Sequence, residues 1–435
     1  MRIGVFGHVG NQNLGDEALI GAVIQNVRRR YPEAEVVGFT RRPSDTRERH
    51  GIPAFPIHRM NGRARPWPAA RTAVAGSGRG VAAAWEQLRS LLKRVALARW
   101  LVRAARRFGG LAVGLPAEVG FLVRAYRNLR GTDLLLVAGS GQLNDYWEGS
   151  WGIPLTLFKW ALLARATGTK LALLSLGAGP LRTRVGKFFV KQTVRLAAYR
   201  SYRDDDSRRC VVALGVRGPH PVVPDLVFSL DVPLAPRAAP VRQRLVVGIN
   251  PMPWFDDLYY PESDPRLFGT YVQTLATFAD WLVERQYTVL FFVTQLVSDP
   301  GVIDRVRGLM RASRQLTEPG QVITARVGCF DELLTVLDAL DLVVATRYHG
   351  TLFSMIRLKP VVSIAYQRKS LELMRDMGQA EYAIAIDELT PAGLQDRFLA
   401  LEQHRGEIVA SLRQQLPGVR SALDTQYDRA FAVLG

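Results

Sequence analysis

Short continuous apolar runs alternate along the chain with longer stretches in which apolar residues recur every three or four positions. In the first part the runs are Arg2–His8, Ala34–Thr40, Asp133–Gly141 and Lys170–Pro180. The periodic stretches between them are Asp16–Tyr31, Ile153–Gly168 and roughly Thr183–Ala198. A strand that is apolar on both faces is a strand covered on both faces, and its alternation with amphipathic helices predicts a parallel sheet. The rhythm breaks at the Pro- and Arg-containing Asp231–Arg244, which reads as a linker. It resumes with strands at Leu245–Pro251, Tyr287–Gln295, Gln321–Val327, Leu342–Gly350 and Pro360–Tyr366. Helices are expected at Tyr271–Glu284, from Asp299, at Phe330–Leu340 and Leu352–Leu358, and through most of Pro391–Leu434. A chain of 435 residues exceeds one ordinary core. The expected fold is α/β, with two Rossmann-like, doubly wound domains (residues 1–235 and 244–435) facing a cleft. In such sheets ligands sit at the carboxyl ends of the strands.

Charge changes this picture in one place. Of a net +18, the segment 59–130 contributes fifteen Arg or Lys against two acids, Glu86 and Glu118. It interrupts the first domain as a basic helical insert. Leu88, Leu91, Leu92, Val95, Leu97 and Leu101 recur within it at helical spacing, with basic residues between. Such a helix suits an anionic membrane surface, or it covers a domain with its charges solvated. No nucleic-acid module accompanies the charge, so nucleic acid is not an expected partner. The two cysteines, Cys210 and Cys329, are far apart in sequence, which predicts neither a disulfide framework nor a zinc site and fits a reducing cytoplasm. The chain opens directly into a strand rather than a signal peptide, and no apolar stretch approaches the ~20 residues of a membrane span.

The residues able to do chemistry fall at strand ends. "GHVGNQNLGDEAL" joins the first strand to its helix, with Asn13, Asp16 and Glu17 at a glycine-rich turn suited to an anion or a sugar. It lacks the lysine of a phosphate-binding loop and is not G-x-G-x-x-G. Asp16 also suits a plain helix cap. "AGSGQLNDYWEG" offers Gly139, Gly141, Asn144 and Asp145 with Tyr146 and Trp147, polar groups for hydroxyls and rings for sugar C–H faces. "YRDDDSRR" contains a formal D-x-D, but Arg203, Arg208 and Arg209 flank it and Ser207 reads as a helix cap, so no metal is expected. Arg203 instead suits a phosphate or carboxylate. In "TRYHGT", Arg347 and His349 alternate through Tyr348 and would share one side of an extended strand end. Gly350 and Thr351 would then open the next helix, adding its positive end. Guanidinium, imidazole and helix terminus describe a site for a small, strongly anionic ligand, to which Lys369 adds a charge.

In order along the chain, "GNQNLGDEAL", "AGSGQLND", "LGAGPL", "YRDDDS" with "LGV", "PDLVFSL", and "TRYHG" with "PVVSIAYQRKSLELMRDMG" resemble the polysaccharide pyruvyl transferase family. Family members commonly show three successive glycines where Ala138-Gly139-Ser140-Gly141 stands here. The resemblance implies a GT-B-like pair of domains and transfer of pyruvate from phosphoenolpyruvate to two hydroxyls of a sugar, forming a cyclic ketal, with no metal or organic cofactor. It implies His349 as the acid or a phosphate ligand. Arg203, Arg347, Gly350, Thr351 and Lys369 then bind the donor, all but Arg203 from the second domain, which is the donor side. Asn13, Asp16, Glu17, Gly139, Gly141, Asn144 and Asp145 fall on the acceptor side. The acceptor would be a polysaccharide, glycolipid or lipid-linked saccharide, met at the cytoplasmic face of the plasma membrane if the insert binds lipid. The rival readings are a nucleotide-sugar-dependent glycosyltransferase of the same architecture and a non-catalytic anion- or sugar-binding relative. Arg368 and Lys369 stand near the place where the glycosyltransferase would want an acid for the ribose, which favours a phosphorylated acid.

Overall fold

The computed structural model describes residues 1–59, 116–232, 244–260, 262–311 and 320–435. The heptad-like leucines of the basic insert and most of the linker lie outside the described residues. The first sheet holds β1 (Arg2–Gly7), β2 (Glu35–Thr40), β3 (Ala54–Pro56), β4 (Leu134–Ala138), β5 (Lys170–Leu176) and β6 (Tyr199–Tyr202). The second holds β7 (Val246–Asn250), β8 (Thr288–Phe291), β9 (Val322–Thr324), β10 (Leu342–Ala345), β11 (Val361–Ala365) and β12 (Ala383–Ala385). Their orders are β3-β2-β1-β4-β5-β6 and β12-β11-β10-β7-β8-β9, and neighbouring strands are parallel. The two orders are the same topology repeated: each sheet starts at its centre, winds outward one way, and returns to wind the other. The reversal lies between β1 and β4 in one sheet and between β7 and β10 in the other, and such reversals open a crevice at the strand tips.

The central strands β4, β7, β10 and β11 are buried along their whole length, as their unbroken apolar sequence requires. Helices Leu14–Arg30, Ile153–Thr167 and Arg184–Leu196 cover the first sheet. A helix at 116–129, at the end of the basic segment, buries Phe121, Ala125 and Leu129 in the same core as Trp160 and Val194. The last long helix, Arg405–Phe431, returns to the first domain, where Gln426 Nε2 donates to Ser175 Oγ at 3.0 Å. Arg30 meets Asp424 and Asp428 of that helix at 3.1 and 2.8 Å. Among the described residues no helix is long and apolar enough to cross a membrane.

Three local expectations change. Asp204, not Ser207, caps Asp205–Val212: its carboxylate accepts from Ser207 N at 2.7 Å, while the Ser207 hydroxyl accepts from Ala178 N at 2.8 Å. The helix expected from Tyr271 begins at Pro265, because Asp264 caps it and proline suits a first helical position. The strand expected to carry Arg347 and His349 stops at Ala345; Arg347 is the extended N-cap and His349 sits in the first turn of Tyr348–Ile356.

Candidate active site

A cavity of about 190 Å³ lies at the two sets of strand tips, lined by both domains. Its first-domain wall includes Asn13 and Asp16 from the turn after β1, Gly141 and Asn144 from the turn after β4, and Arg203 from the end of β6. Arg347, His349, Tyr366 and Lys369 from the tips of β10 and β11 form the opposite wall. The domains are strapped together on one side of it. Leu14 N donates to Thr294 O at 2.9 Å and Leu296 N to Gln12 O at 3.0 Å, around a one-pair antiparallel bridge of Asn13 with Gln295.

Each arginine is held by aspartate. Asp299, fully buried, accepts from Arg347 Nε at 3.0 Å through Oδ1, while Ser298 Oγ accepts from Arg347 Nη2 at 2.8 Å. Asp299 Oδ2 takes the amides of Thr294 and Gln295 at 3.1 and 2.8 Å, so the same carboxylate shapes the strap and aims the guanidinium. Arg203 lies between Asp204 at 3.3 Å and Asp225 at 3.6 Å, and its Cζ stands 4.7 Å over the Tyr348 ring. Lys369 pairs with rings rather than with a carboxylate, its Nζ 5.5 Å from the centroid of Tyr348 and 5.0 Å from that of Tyr366.

His349 is half-buried, stacked at 5.7 Å on Phe353, and its Nε2 is itself buried with no hydrogen-bond partner. A buried polar atom without a partner carries a desolvation cost, and such an atom facing a cavity is what a ligand would satisfy. Burial, with the charges of Lys369, Arg203 and Arg347, pushes the imidazole well below its usual range, which favours the neutral ring. Burial works to raise the Tyr366 phenol, yet Lys369, Arg347 and Arg203 bring it below its ordinary value. Across the cavity, burial raises Asp16 to about 6, beside His8, Ser140 and Asn11. The two walls thus differ in character: Arg347, Lys369 and the imidazole stand on the second-domain side, while the first-domain side sets Arg203 beside a carboxylate able to take a proton near neutral pH.

Not every expected residue faces this space. Asn13 does, while its side chain also caps Leu14–Arg30 by accepting from Gly15 N at 3.0 Å. Glu17 points away, accepting from Gly10 N at 3.1 Å and meeting His50 Nε2 at 3.0 Å, and so holds the glycine turn. Asp145 accepts from Arg182 N, Thr183 N and Thr183 Oγ1 at 2.8, 2.9 and 2.6 Å. Burial opposes its ionisation, but those bonds hold it below the usual carboxylate range. Gly139, at φ +37°, packs on Leu19 behind the loop. Gly350 lies against Asn250, where a Cβ would come within 2.2 Å of Oδ1, and Thr351 meets Ser363 Oγ at 3.1 Å. Neither lines the cavity. Among the described residues no cluster of three His, Cys, Asp or Glu is placed to hold a metal.

The aromatic rings expected of the turn after β4 meet a partner that carried no motif. Trp147 of the first domain and Tyr260 of the second approach edge to face at 5.4 Å across the mouth, and Tyr146 joins Trp147 at 5.2 Å. The only sequence signal for Tyr259 and Tyr260 is an aromatic, proline-rich stretch after β7, "NPMPWFDDLYYPE". A second cavity, of about 330 Å³, shares His8, Gln142 and Ile153 with the first and runs on to Arg41, His58, Glu148 and Trp151. There burial would raise Glu148, but His8 and Arg41 hold it at about 2.

A model of the polysaccharide pyruvyl transferase family matches residues 13–368. The chain belongs to the polysaccharide pyruvyl transferase family. As a pyruvyl transferase it takes its pyruvyl group from phosphoenolpyruvate, needs no separate metal or organic cofactor, and passes the group to a saccharide of a polysaccharide or glycoconjugate. Solved structures share its architecture. A UDP-GlcNAc 2-epimerase from Neisseria meningitidis, bound to UDP-GlcNAc, superposes with a TM-score of 0.55 at 11% identity, over 99% of this chain and 100% of that one. The corresponding epimerase from Methanocaldococcus jannaschii gives 0.54 at 10%, over 93% and 92%. A glycosyltransferase from Rickettsia africae gives 0.55 at 7%, over 100% and 98%. At these identities the likeness is one of fold, the GT-B-like pair of Rossmann-type domains.

Proposed function

We propose that phosphoenolpyruvate binds on the second-domain wall, with its phosphate and carboxylate neutralised by Arg347, Lys369 and, reaching over from the first domain, Arg203. The observation that carries this is the convergence of those three cations on the unpartnered Nε2 of His349. Burial first, and then the surrounding positive charges, favour the neutral imidazole. A bound trianion reverses that field, so the ring takes up a proton from solvent as the donor binds and can then deliver it. The acceptor sugar lies against Asp16, Asn13, Gly141 and Asn144, with Trp147 and Tyr260 over its apolar face. Glu17, Gly139, Asp145, Gly350 and Thr351 act by shaping the loops that hold these groups.

His349 Nε2 protonates the methylene carbon C3, leaving an oxocarbenium at C2. One acceptor hydroxyl adds to C2 and gives its proton to Asp16, the acid at this wall that is not committed to holding a loop. The C2–O bond to phosphate then breaks. The second hydroxyl adds to C2, its proton leaving with the phosphate, and the products are the cyclic ketal and inorganic phosphate. The three cations stabilise the departing charge. We further infer that the domains 1–235 and 244–435 divide as acceptor and donor sides, and that the enzyme acts at the cytoplasmic face of an anionic membrane on a lipid-linked saccharide. The basic amphipathic sequence within 59–130 supports that placement.

Thermal unfolding with and without phosphoenolpyruvate, beside a panel of nucleotide sugars, tests the donor site, since binding to the native state must raise the midpoint. The expected result is a rise with phosphoenolpyruvate that Arg347→Ala and His349→Ala abolish. A rise that survives both substitutions, or one produced only by a nucleotide sugar, overturns the assignment.

A further inference from the structure

One surface of the first domain is unlike the rest of the molecule. Helices 116–129, Ile153–Thr167 and Arg184–Leu196 lie side by side on one face of the first sheet, their inner sides sharing a core through Phe121, Leu157, Trp160 and Val190. The middle helix touches both neighbours: Lys159 meets Glu118 at 2.6 Å, and Phe158 packs on Phe188 and Phe189 at 6.0 and 5.5 Å. The outer sides present Val119, Val123, Tyr126, Leu162, Val185 and Phe188 to solvent, with Trp151 just before the middle helix at 72% exposure. These are seven of the fifteen exposed large apolar side chains among the described residues, gathered on one layer.

The charge on the same three helices is almost all of one sign. They carry Arg124, Arg127, Lys159, Arg165, Arg184, Lys187, Lys191 and Arg195 against a single acid, Glu118, which is already paired with Lys159. That is eight basic residues less one acid, or +7. Apolar side chains that stand out between cations are poorly served by water, and a contiguous patch of them marks an interaction surface.

We propose that the outer face of these three helices docks on an anionic lipid bilayer. Lysines and arginines meet the headgroups while Val123, Leu162 and Phe188 enter the acyl boundary, which is the division of labour of interfacial helices. A second copy of the chain is a poor occupant, because a twofold interface through this face would set +7 against +7. Position along the acceptor path agrees: Trp151, Thr156, Lys159 and Glu118 of this layer also line the second cavity, which shares walls with the active-site cavity. A lipid-linked saccharide would pass from the bilayer along the second cavity to Asp16. The proposal deepens the peripheral placement given above and rests on it for the choice of a bilayer; it extends the surface from the last helix of the basic insert, 116–129, to two helices outside the insert.

The test is flotation of the full chain with phosphatidylcholine vesicles, with and without phosphatidylglycerol. Three variants accompany it: Lys187→Gln with Arg195→Gln, Leu162→Ser with Phe188→Ser, and Arg99, Arg103, Arg106 and Arg107→Gln in the insert. The midpoint shift with phosphoenolpyruvate is read on each. Binding should require phosphatidylglycerol and weaken with salt. It should fall about 25-fold in the first variant, from ~1 kcal/mol or about fivefold per charge, and fall also in the second. Face variants that bind like the parent, loss confined to the insert variant, or a dimer in solution that Phe188→Ser dissociates would each overturn the proposal. So would binding to duplex oligonucleotide in place of vesicles. A retained phosphoenolpyruvate shift with no vesicle binding sinks the docking face alone, and vesicle binding without that shift sinks the donor-site reading alone.

Discussion

A Cβ placed on Gly15 would stand 1.9 Å from Nδ1 of His349 and 2.2 Å from its Cγ. The imidazole of the second domain therefore rests directly on the first turn of a helix in the first domain, with no room for any side chain between them. The two walls of the cleft are set to each other by this contact, and the positive end of the Leu14–Arg30 helix faces the ring. That end adds to the reasons for the imidazole to be neutral before an anion arrives.

Gly15→Ala is accordingly expected to cost activity and some stability of the contact between the two domains. Alanine is the better helix former, so the first turn should tolerate it. The methyl group must push His349 aside, and a displacement near 1 Å at a reacting group costs about 100-fold. Steady-state kinetics should show kcat lowered by about that factor, with a lower unfolding midpoint from the displaced ring but a folded chain. Parental kcat in this variant would mean that His349 does not transfer the proton from its observed place.

Asp299 gives a second expectation. It is fully buried and serves Arg347, Thr294 and Gln295 at once. Asp299→Asn keeps the shape but leaves the guanidinium without its counter-charge, and breaking such a buried pair costs about 3 kcal/mol. Arg347 also loses its aim, so KM for phosphoenolpyruvate should rise about tenfold, with a smaller change in kcat. Arg347→Lys should raise KM as well, because an ammonium cannot reproduce a forked donor. Urea unfolding and donor titrations check both, and an unchanged KM in both variants would remove Arg347 from the donor site.

The architecture was legible because unbroken apolar runs such as Leu134–Ala138 and Val361–Ala365 are buried on both faces, and two-sided burial leaves a plain trace in sequence. The site was legible in part. Arg203, Arg347, His349 and Lys369 could be named from their places at strand ends. Asp16 and Glu17 could not be told apart, since neighbouring residues on a helix differ by ~100° in direction and only the packing decides which one meets the cavity. The start of the helix at Tyr348 was misplaced because Arg347 caps it without a side-chain bond, so no capping residue announces it. Asp299, Ser298 and Tyr260 were missed altogether. Asp299 opens a helix, Ser298 precedes it and Tyr260 lies in a loop, none within a motif, and their roles exist only once two distant strand tips have met.

Asp16 makes the two demands of stability and chemistry separable by pH. Burial raises its carboxyl from 3.8 to about 6. The folded chain therefore holds this proton more tightly than the unfolded chain between those two values. Stability from this group is full below about pH 4, is lost as pH rises towards 6, and stays lost above it. A shift of about two units corresponds to roughly 3 kcal/mol. Asp16→Asn, which cannot ionise, should raise the unfolding midpoint at pH 8 and leave it nearly unchanged at pH 4. The parent's kcat/KM should fall tenfold per unit below about pH 6, as the base becomes protonated, and Asp16→Asn should lose most activity with no such limb remaining. If the variant is stabilised at pH 8 but keeps parental activity and the acid limb, the ionisable group is in the cleft yet is not the base, and Tyr366, whose phenol Lys369 and the two arginines draw down, becomes the next side chain to substitute.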